Sequence, residues 1–231
     1  MKKNILISGG AGGLGKAMAA ALTPEHRVII LDQDAKAATR AAQTLSCDYV
    51  VADITSYDDI AKALAVVRKK YRQLDCLINN AGIWLGGNLI NNNPADIARV
   101  MAINATGTML LTRAALPLIK PGGIILTTIS QNGLTAKPER SVYTASKWAL
   151  TGFTKCLQRE LHPQGIRVTG LYPGLMNTEL FAKAGNTTRG KTASLDPNLV
   201  AQWVKMIINA PPTVVIPELG IYDTAYIPPE V

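Results

Sequence analysis

Residues 4–22 read "NILISGGAGGLGKAMAAAL": a short apolar run with strand character, a glycine-rich turn, and an alanine-rich run that favours helix. Within the turn, Gly9, Gly13 and Gly15 keep the spacing G-x-x-x-G-x-G. A strand that runs through glycines into a helix lets the backbone approach a pyrophosphate, because no side chain stands in the way and the positive end of the helix faces the charge. Taken alone, the same residues also make an ordinary tight β–α turn. The rest of the chain decides between the two.

Downstream the alternation continues. Strand-like runs lie at 4–8, 27–31, 49–53, 74–79, 123–130, 166–172 and 213–221, and helical runs near 14–22, 35–45, 56–71, 94–116, 143–161 and 197–209. Continuously apolar strands separated by helices of ten or more residues predict an α/β fold, a parallel sheet covered by helices on both faces. Ligands of such sheets bind beyond the carboxyl ends of the strands. The second strand ends at Asp32, where a carboxylate can accept hydrogen bonds from a ribose 2′-hydroxyl and repel a 2′-phosphate. Asp34 is placed to cap the next helix, which leaves Asp32 available to a ligand. Lys36 and Arg40 are the residues that could instead hold a 2′-phosphate.

Bulk properties narrow the class. The 231 residues suit one domain over 1–231, and 48% hydrophobic with 17% charged content predicts a packed globule. The basic start of "MKKNILISGG" runs into glycine too early for an export signal, and the apolar stretch at 100–119 is interrupted by Asn104 and Arg113, so no membrane span is expected. Cys47, Cys76 and Cys156 are odd in number and far apart, which predicts reduced thiols and a cytoplasmic setting. With only His26 and His162, neither a zinc site nor a Ser-His-Asp triad is easily assembled, and no metal is expected. The net charge of +8 is scattered, with no run longer than "RKK" at 68–70 and aromatics at 5%, so nucleic-acid binding is not expected.

"RSVYTASKWALTGF" at 140–153 places Tyr143 and Lys147 four residues apart, on one face of a helix. A phenol titrating near ~10 falls short of proton transfer at neutral pH by roughly 4 kcal/mol. A cation ~4 Å away supplies only ~1 kcal/mol in water but ~4 kcal/mol at the effective dielectric of a partly closed site. The pair therefore predicts a general acid/base in which Lys147 stabilises the phenolate of Tyr143.

Together, the glycine turn, "NNAG" at 79–82, Ser130, "YTASK" at 143–147 and "PGLMNT" at 173–178 resemble the short-chain dehydrogenase/reductase family, in order from residue 4 to about 221. The resemblance implies a single Rossmann-type, doubly wound domain with a seven-stranded parallel sheet. It implies catalysis by Asn104, Ser130, Tyr143 and Lys147, with Ser130 hydrogen-bonded to the substrate oxygen and Asn104 holding a water that links Lys147 to solvent. It implies a dinucleotide held by Ser8, Gly9, Gly13, Leu14 and Gly15 at the first turn, Asp32 at the ribose, and Asp53 and Ile54 at adenine. Asn80, Ala81 and Gly82 after the fourth strand, Pro173, Gly174 and Thr178 on the nicotinamide side, and Tyr143 and Lys147 complete that set. Two departures stand out: Ser8 replaces the usual threonine, and "ISQNG" replaces the commoner double serine, which turns Gln131 toward a substrate role.

The expected activity is hydride transfer between a secondary alcohol and a ketone with NAD in preference to NADP, by a homodimer or homotetramer. An NADP-dependent carbonyl reductase and a catalytically idle dinucleotide-sensing protein are the alternatives. Substrate walls are expected from 83–89, 131–140 and the loop after Pro173, with Trp84, Leu134, Met176 and Phe181 as apolar contacts and Lys137 or Arg140 as partners for a carboxylate.

Overall fold

The computed structural model of the chain describes residues 1–180 and 194–224; Phe181 and most of the loop expected at 175–196 lie outside the described residues. The strands are β1 (Asn4–Ser8), β2 (Arg27–Asp32), β3 (Asp48–Val51), β4 (Leu74–Asn79), β5 (Ile119–Thr128), β6 (Arg167–Pro173) and β7 (Glu218–Ile221). They form one seven-stranded sheet in the order β3-β2-β1-β4-β5-β6-β7. Every neighbouring pair is parallel. The helices are α1 (Gly13–Leu22), α2 (Ala35–Leu45), α3 (Tyr57–Tyr71), α4 (Pro94–Met101), α5 (Thr108–Ala115), α6 (Ser141–Glu160) and α7 (Pro197–Asn209).

The apolar runs of the strands are explained by burial on both faces. In β1, Ile5 and Ile7 join a core layer with Met18 and Leu22 of α1 and Val200 and Val204 of α7. Leu6, between them, points the other way into a second layer with Ile60 and Leu64 of α3, Leu111 of α5 and Leu157 of α6. Strand order reverses direction between β1 and β4, which opens a crevice at their carboxyl ends. The Ser8 hydroxyl spans that crevice at its base, accepting from the amides of Asn80 at 3.0 Å and Ala81 at 3.2 Å.

Helix caps follow the sequence. Asp34 accepts from the amide of Ala37 and Ser56 from that of Asp59, so α2 and α3 begin on side-chain caps. By contrast, α1 begins on Gly12, with no side-chain cap. The turn before it needs its glycines: Gly9 and Gly13 have φ of 62° and 49°, and a Cβ on Gly15 would lie 2.0 Å from the carbonyl oxygen of Gly9.

Several elements differ from the sequence reading for physical reasons. The helix expected over 94–116 is broken by a π-helical turn at Ala102–Gly107, which swings Asn104 into the interior. The last strand is confined to Glu218–Ile221 because carbonyls just before it are taken by side chains: Arg167 donates to those of Ala210, Pro211 and Val214, and Thr169 to that of Ile216. The third strand stops at Val51, since Asp53 folds back to accept from the amide and hydroxyl of Thr55, each at 2.8 Å. The fifth starts four residues early, at Ile119, with a register shift against β4.

Two glycines make a paired test. Gly15→Ala should cost about 3 kcal/mol through a backbone clash. At Gly152, in α6, an added Cβ meets nothing within 4 Å. Gly152→Ala should therefore stabilise by about 0.5–1 kcal/mol, as expected for alanine in an exposed helix position. Denaturant unfolding of both variants measures the two effects.

Candidate active site

The helix α6 turns Tyr143, Ser146, Lys147, Leu150, Thr151, Thr154 and Leu157 inward, a face with the three-and-four spacing of a helix packed on a sheet. Most of that face is ordinary core. At its first turns, just beyond the ends of β4 and β5, it carries a phenol and an ammonium instead. Tyr143 is 7% exposed and Lys147 5%.

The Lys147 ammonium donates to the carbonyl of Thr128 at 3.2 Å and lies 5.7 Å from the centroid of the Tyr143 ring. The Ser130 hydroxyl is placed to favour the ionised form of the Tyr143 phenol. Ser130 accepts from the amide of Asn132 at 3.2 Å and sits at φ 153° and ψ 160°, a conformation favouring glycine, which for a serine stores on the order of 1–3 kcal/mol of strain. The Trp84 ring packs on Tyr143 with centroids 4.5 Å apart, and the Arg140 guanidinium lies 5.6 Å from the Trp84 ring.

Burial governs the titration of both groups. It pushes the Tyr143 phenol up to about 12, opposed by the Ser130 hydroxyl and the Arg140 charge, and it pushes the Lys147 ammonium down to about 8. The sequence reading has Lys147 stabilise the phenolate with the positive charge of oxidised nicotinamide helping, and it does not weigh the desolvation that opposes them. Desolvation outweighs the protein's own cations, and near neutral pH the site holds a protonated phenol beside a charged lysine.

Asn104 is fully buried and its amide is spent on structure. Its oxygen accepts from the Ile83 amide at 2.8 Å, while its nitrogen donates to the Ile83 carbonyl at 2.9 Å and to the Ser146 hydroxyl at 3.1 Å. The side chain clamps the segment after β4 to α6, which gives it a positioning role.

A cavity of about 590 Å³ runs along the crevice. One end is walled by Asp32, Asp53 and Ile54, the middle by Gly9, Gly13, Leu14, Asn80, Ala81 and Thr178, and the other end by Gly82, Ser130, Tyr143, Lys147, Pro173 and Gly174. Of the expected residues, Ser8, Gly15 and Asn104 do not line it. Ser8 ties β1 to β4 behind the wall, and Gly15 packs against the Gly9 carbonyl. Leu134, expected at the substrate, packs instead with Ile129, Leu150 and Tyr172.

Sequence reasoning missed Gly12, Leu31, Gln33, Ala52, Ile103, Thr128 and Ile129 as wall residues. Gly12 lay inside the quoted glycine run, and Leu31, Gln33 and Ala52 sit at strand ends, where a parallel sheet places its ligands. Ile103 carried no signal, because the π-helical turn that positions it was unread.

The cradle fits a dinucleotide. A Cβ on Gly12 would meet nothing within 4 Å, so the uncapped start of α1 opens on free space, as an incoming phosphate requires. Asp32 accepts from the amides of Ala11 at 3.1 Å and Asp34 at 3.2 Å, which fixes its carboxylate at the wall.

Residues 3–189 match the family model described as short chain dehydrogenase. The chain belongs to that family. It is accordingly an NAD(P)-dependent oxidoreductase acting on CH–OH groups. "Carbonyl reductase family member 4" of Danio rerio is 29% identical over 220 residues, 91% of this chain and 93% of that one. "Trans-4-hydroxycyclohexanecarboxylate dehydrogenase" of Sinomonas cyclohexanicum is 31% identical over 194 residues, 78% of this chain and 75% of that one. The solved structure of 3-ketoacyl-(acyl-carrier-protein) reductase from Brucella melitensis, complexed with NADH, superposes with a TM-score of 0.89 at 28% identity, covering 97% of this chain and 98% of that one.

In this short-chain dehydrogenase the buried lysine should weaken the fold. Lowering an ammonium from 10.5 to about 8 makes the unfolded chain bind the proton more tightly, at a cost of roughly 3 kcal/mol below pH 8. That cost fades as pH rises from about 8 toward 10.5. Lys147→Met should thus raise the melting temperature at pH 7, with the gain shrinking at alkaline pH, as calorimetry across that range can measure.

Proposed function

We propose that the enzyme interconverts a secondary alcohol and a ketone, with NAD as its dinucleotide and Tyr143 as general acid/base. The observation that carries this reading is that Ser130, Tyr143 and Lys147 wall one end of a cavity that continues past the open glycine turn to Asp32. Residues Gly9 to Gly15 and the start of α1 would hold the pyrophosphate, Asp32 the adenosine ribose, Asp53 and Ile54 adenine, and Pro173, Gly174 and Thr178 the nicotinamide side. A dinucleotide held there would supply the hydride acceptor for oxidation and the hydride donor for reduction at the carbinol carbon.

The remaining chemistry belongs to the chain. In reduction, the protonated phenol of Tyr143 gives its proton to the carbonyl oxygen as that oxygen becomes an alcohol. Ser130 donates a hydrogen bond to the same oxygen, where negative charge builds. Lys147 keeps a positive charge within the wall, which stabilises the phenolate left behind. In oxidation the phenolate takes the hydroxyl proton back. Asn104 positions Ile83 and α6, and Trp84 supports the Tyr143 ring.

NAD is favoured over NADP because Asp32 is fixed at the wall by two amides, whereas Lys36 and Arg40 are exposed and do not line the cavity. A catalytically idle sensor fits the site less well, since dinucleotide capture alone needs no serine, buried phenol and buried ammonium together on one wall. The relatives' names, a carbonyl reductase and a hydroxy-acid dehydrogenase, support the alcohol–ketone assignment.

The chain is taken to work as one domain over 1–231 and to self-associate as a homodimer or homotetramer, a reading supported by exposed Trp148, Leu199, Trp203 and Met206. Free Cys47, Cys76 and Cys156 support a cytoplasmic location. Among the described residues, no helix is long and apolar enough to cross a membrane.

Tyr143→Phe should lower turnover about 10²–10⁴-fold, the range for losing a general acid/base. NADH affinity should hold to within a few-fold by fluorescence titration. Turnover near wild type would remove Tyr143 from the mechanism. Asp32→Asn retains an acceptor for the Ala11 amide but removes the charge, and should shift the NADH-to-NADPH affinity ratio about tenfold or more toward NADPH. Tight wild-type binding of NADPH would overturn the NAD assignment.

A further inference from the structure

The turn that carries Ser130 brings two unmet amides to the substrate end of the cavity. Gln131 and Asn132 both line the cavity, 5% and 2% exposed, in the short helical turn Gln131–Gly133 that follows Ser130 directly. The Gln131 Oε1 and the Asn132 Nδ2 are buried with no hydrogen-bond partner. Nearby hydroxyls are spent on the backbone: Ser130 accepts from the Asn132 amide, Thr135 donates to the Gln131 carbonyl, and Thr151 donates to the carbonyls of Gly133 and Lys147. Buried polar atoms left without partners are costly, and a pair of them on the wall of a cavity calls for a ligand that meets them. An alcohol with no polar group beyond its reacting oxygen leaves both unmet.

The two atoms need opposite things. An amide oxygen needs a donor and an amide nitrogen an acceptor, and turning either amide end for end only exchanges the demand. A carboxylate or a ketone can only accept, and an ammonium can only donate. A hydroxyl does both, so it satisfies this wall in either orientation. The chain also fixes the place. Both amides spring from the residues next to Ser130, whose hydroxyl closes the turn on the Asn132 amide at 3.2 Å. A hydroxyl held there belongs to a carbon beside the one that reacts.

We propose that the substrate is a vicinal diol, or the corresponding α-hydroxyketone in reduction, whose second hydroxyl donates to the Gln131 Oε1 and accepts from the Asn132 Nδ2. This rests on the alcohol–ketone reading and names its substrate class. In oxidation one carbinol carbon gives up a hydride to NAD⁺ while its oxygen gives up a proton to the Tyr143 phenolate, so that C–O becomes C=O. The second hydroxyl keeps its proton and its bonds. The products are the α-hydroxyketone and NADH. By holding the second hydroxyl, Gln131 and Asn132 orient the reacting carbon toward Ser130 and Tyr143.

The test compares kcat/KM, with saturating NAD⁺, for the vicinal diols of butane and cyclohexane against the secondary mono-alcohols of the same skeletons. The wild-type enzyme should favour diol over mono-alcohol by about 30-fold or more, the scale of two hydrogen bonds to buried groups. Gln131→Met and Asn132→Leu, each close in size to the residue it replaces, should each lower that ratio about fivefold, and the double variant should bring it toward one. Either single variant tests the assignment if the other does not fold. Quenching of tryptophan fluorescence by the same compounds in the NADH complex, where oxidation cannot proceed, gives a readout apart from turnover. Diols should bind there more tightly than mono-alcohols, by a margin that narrows in each variant.

Mono-alcohols turned over as well as diols, or variant losses equal in the two series, would overturn the second-hydroxyl assignment and leave the oxidoreductase reading standing. NADH binding with no turnover in either series would instead sink the alcohol–ketone reading and the substrate class with it.

Discussion

Removing a phenol and an ammonium from water at the same place is the constraint on which the site depends. Each group is driven toward its neutral form, so the phenol of Tyr143 rises to about 12 while the ammonium of Lys147 falls to about 8. Their ranges still do not cross near neutral pH. The protein keeps a charged base-stabiliser beside an uncharged acid, and it does so at a cost to the fold. A water-filled cleft would spare the cost but would screen the lysine until it could no longer influence the phenol.

Holding the pair in place calls on distant parts of the chain. The sheet's change of direction between β1 and β4 makes the crevice, and Ser8 locks its two lips together through the amides of Asn80 and Ala81. The π-helical turn between α4 and α5 drives Asn104 inward, where one amide joins Ile83 to Ser146 of α6. Even the glycines serve this packing: a Cβ on Gly82 would approach the Asn104 Oδ1 to 3.2 Å and the Lys147 Nζ to 3.7 Å. Residues that never meet a ligand thus set the position of those that do.

The layered sheet was legible because two-sided burial writes itself as unbroken apolar strands, and the glycine turn because close approach of backbone forbids side chains. The Tyr143–Lys147 pair was legible from helical spacing alone. Ser8 and Asn104 were visible as positions, but their part in the packing shows only once their hydrogen bonds are traced. The broken helix at Ala102–Gly107 had no sequence signal, because a π-helical turn uses the same apolar residues as the helix around it. The magnitude of desolvation at Tyr143 was also hidden, for burial of an individual atom depends on Trp84 and other neighbours brought in from elsewhere in the chain.

The central claim is that burial, and not the nearby lysine, sets the phenol's titration in the protein by itself, and that an added positive charge in the crevice is what lowers it. Labelling tyrosine at the phenolic carbon and following the Tyr143 resonance with pH, alone and with NAD⁺, measures this directly. The account predicts no titration of that resonance below about pH 11 in the protein alone, where the phenol is held up at about 12, and a marked downward shift with NAD⁺ present. A resonance titrating near 10 or lower without NAD⁺, or one that NAD⁺ leaves unmoved, would contradict it.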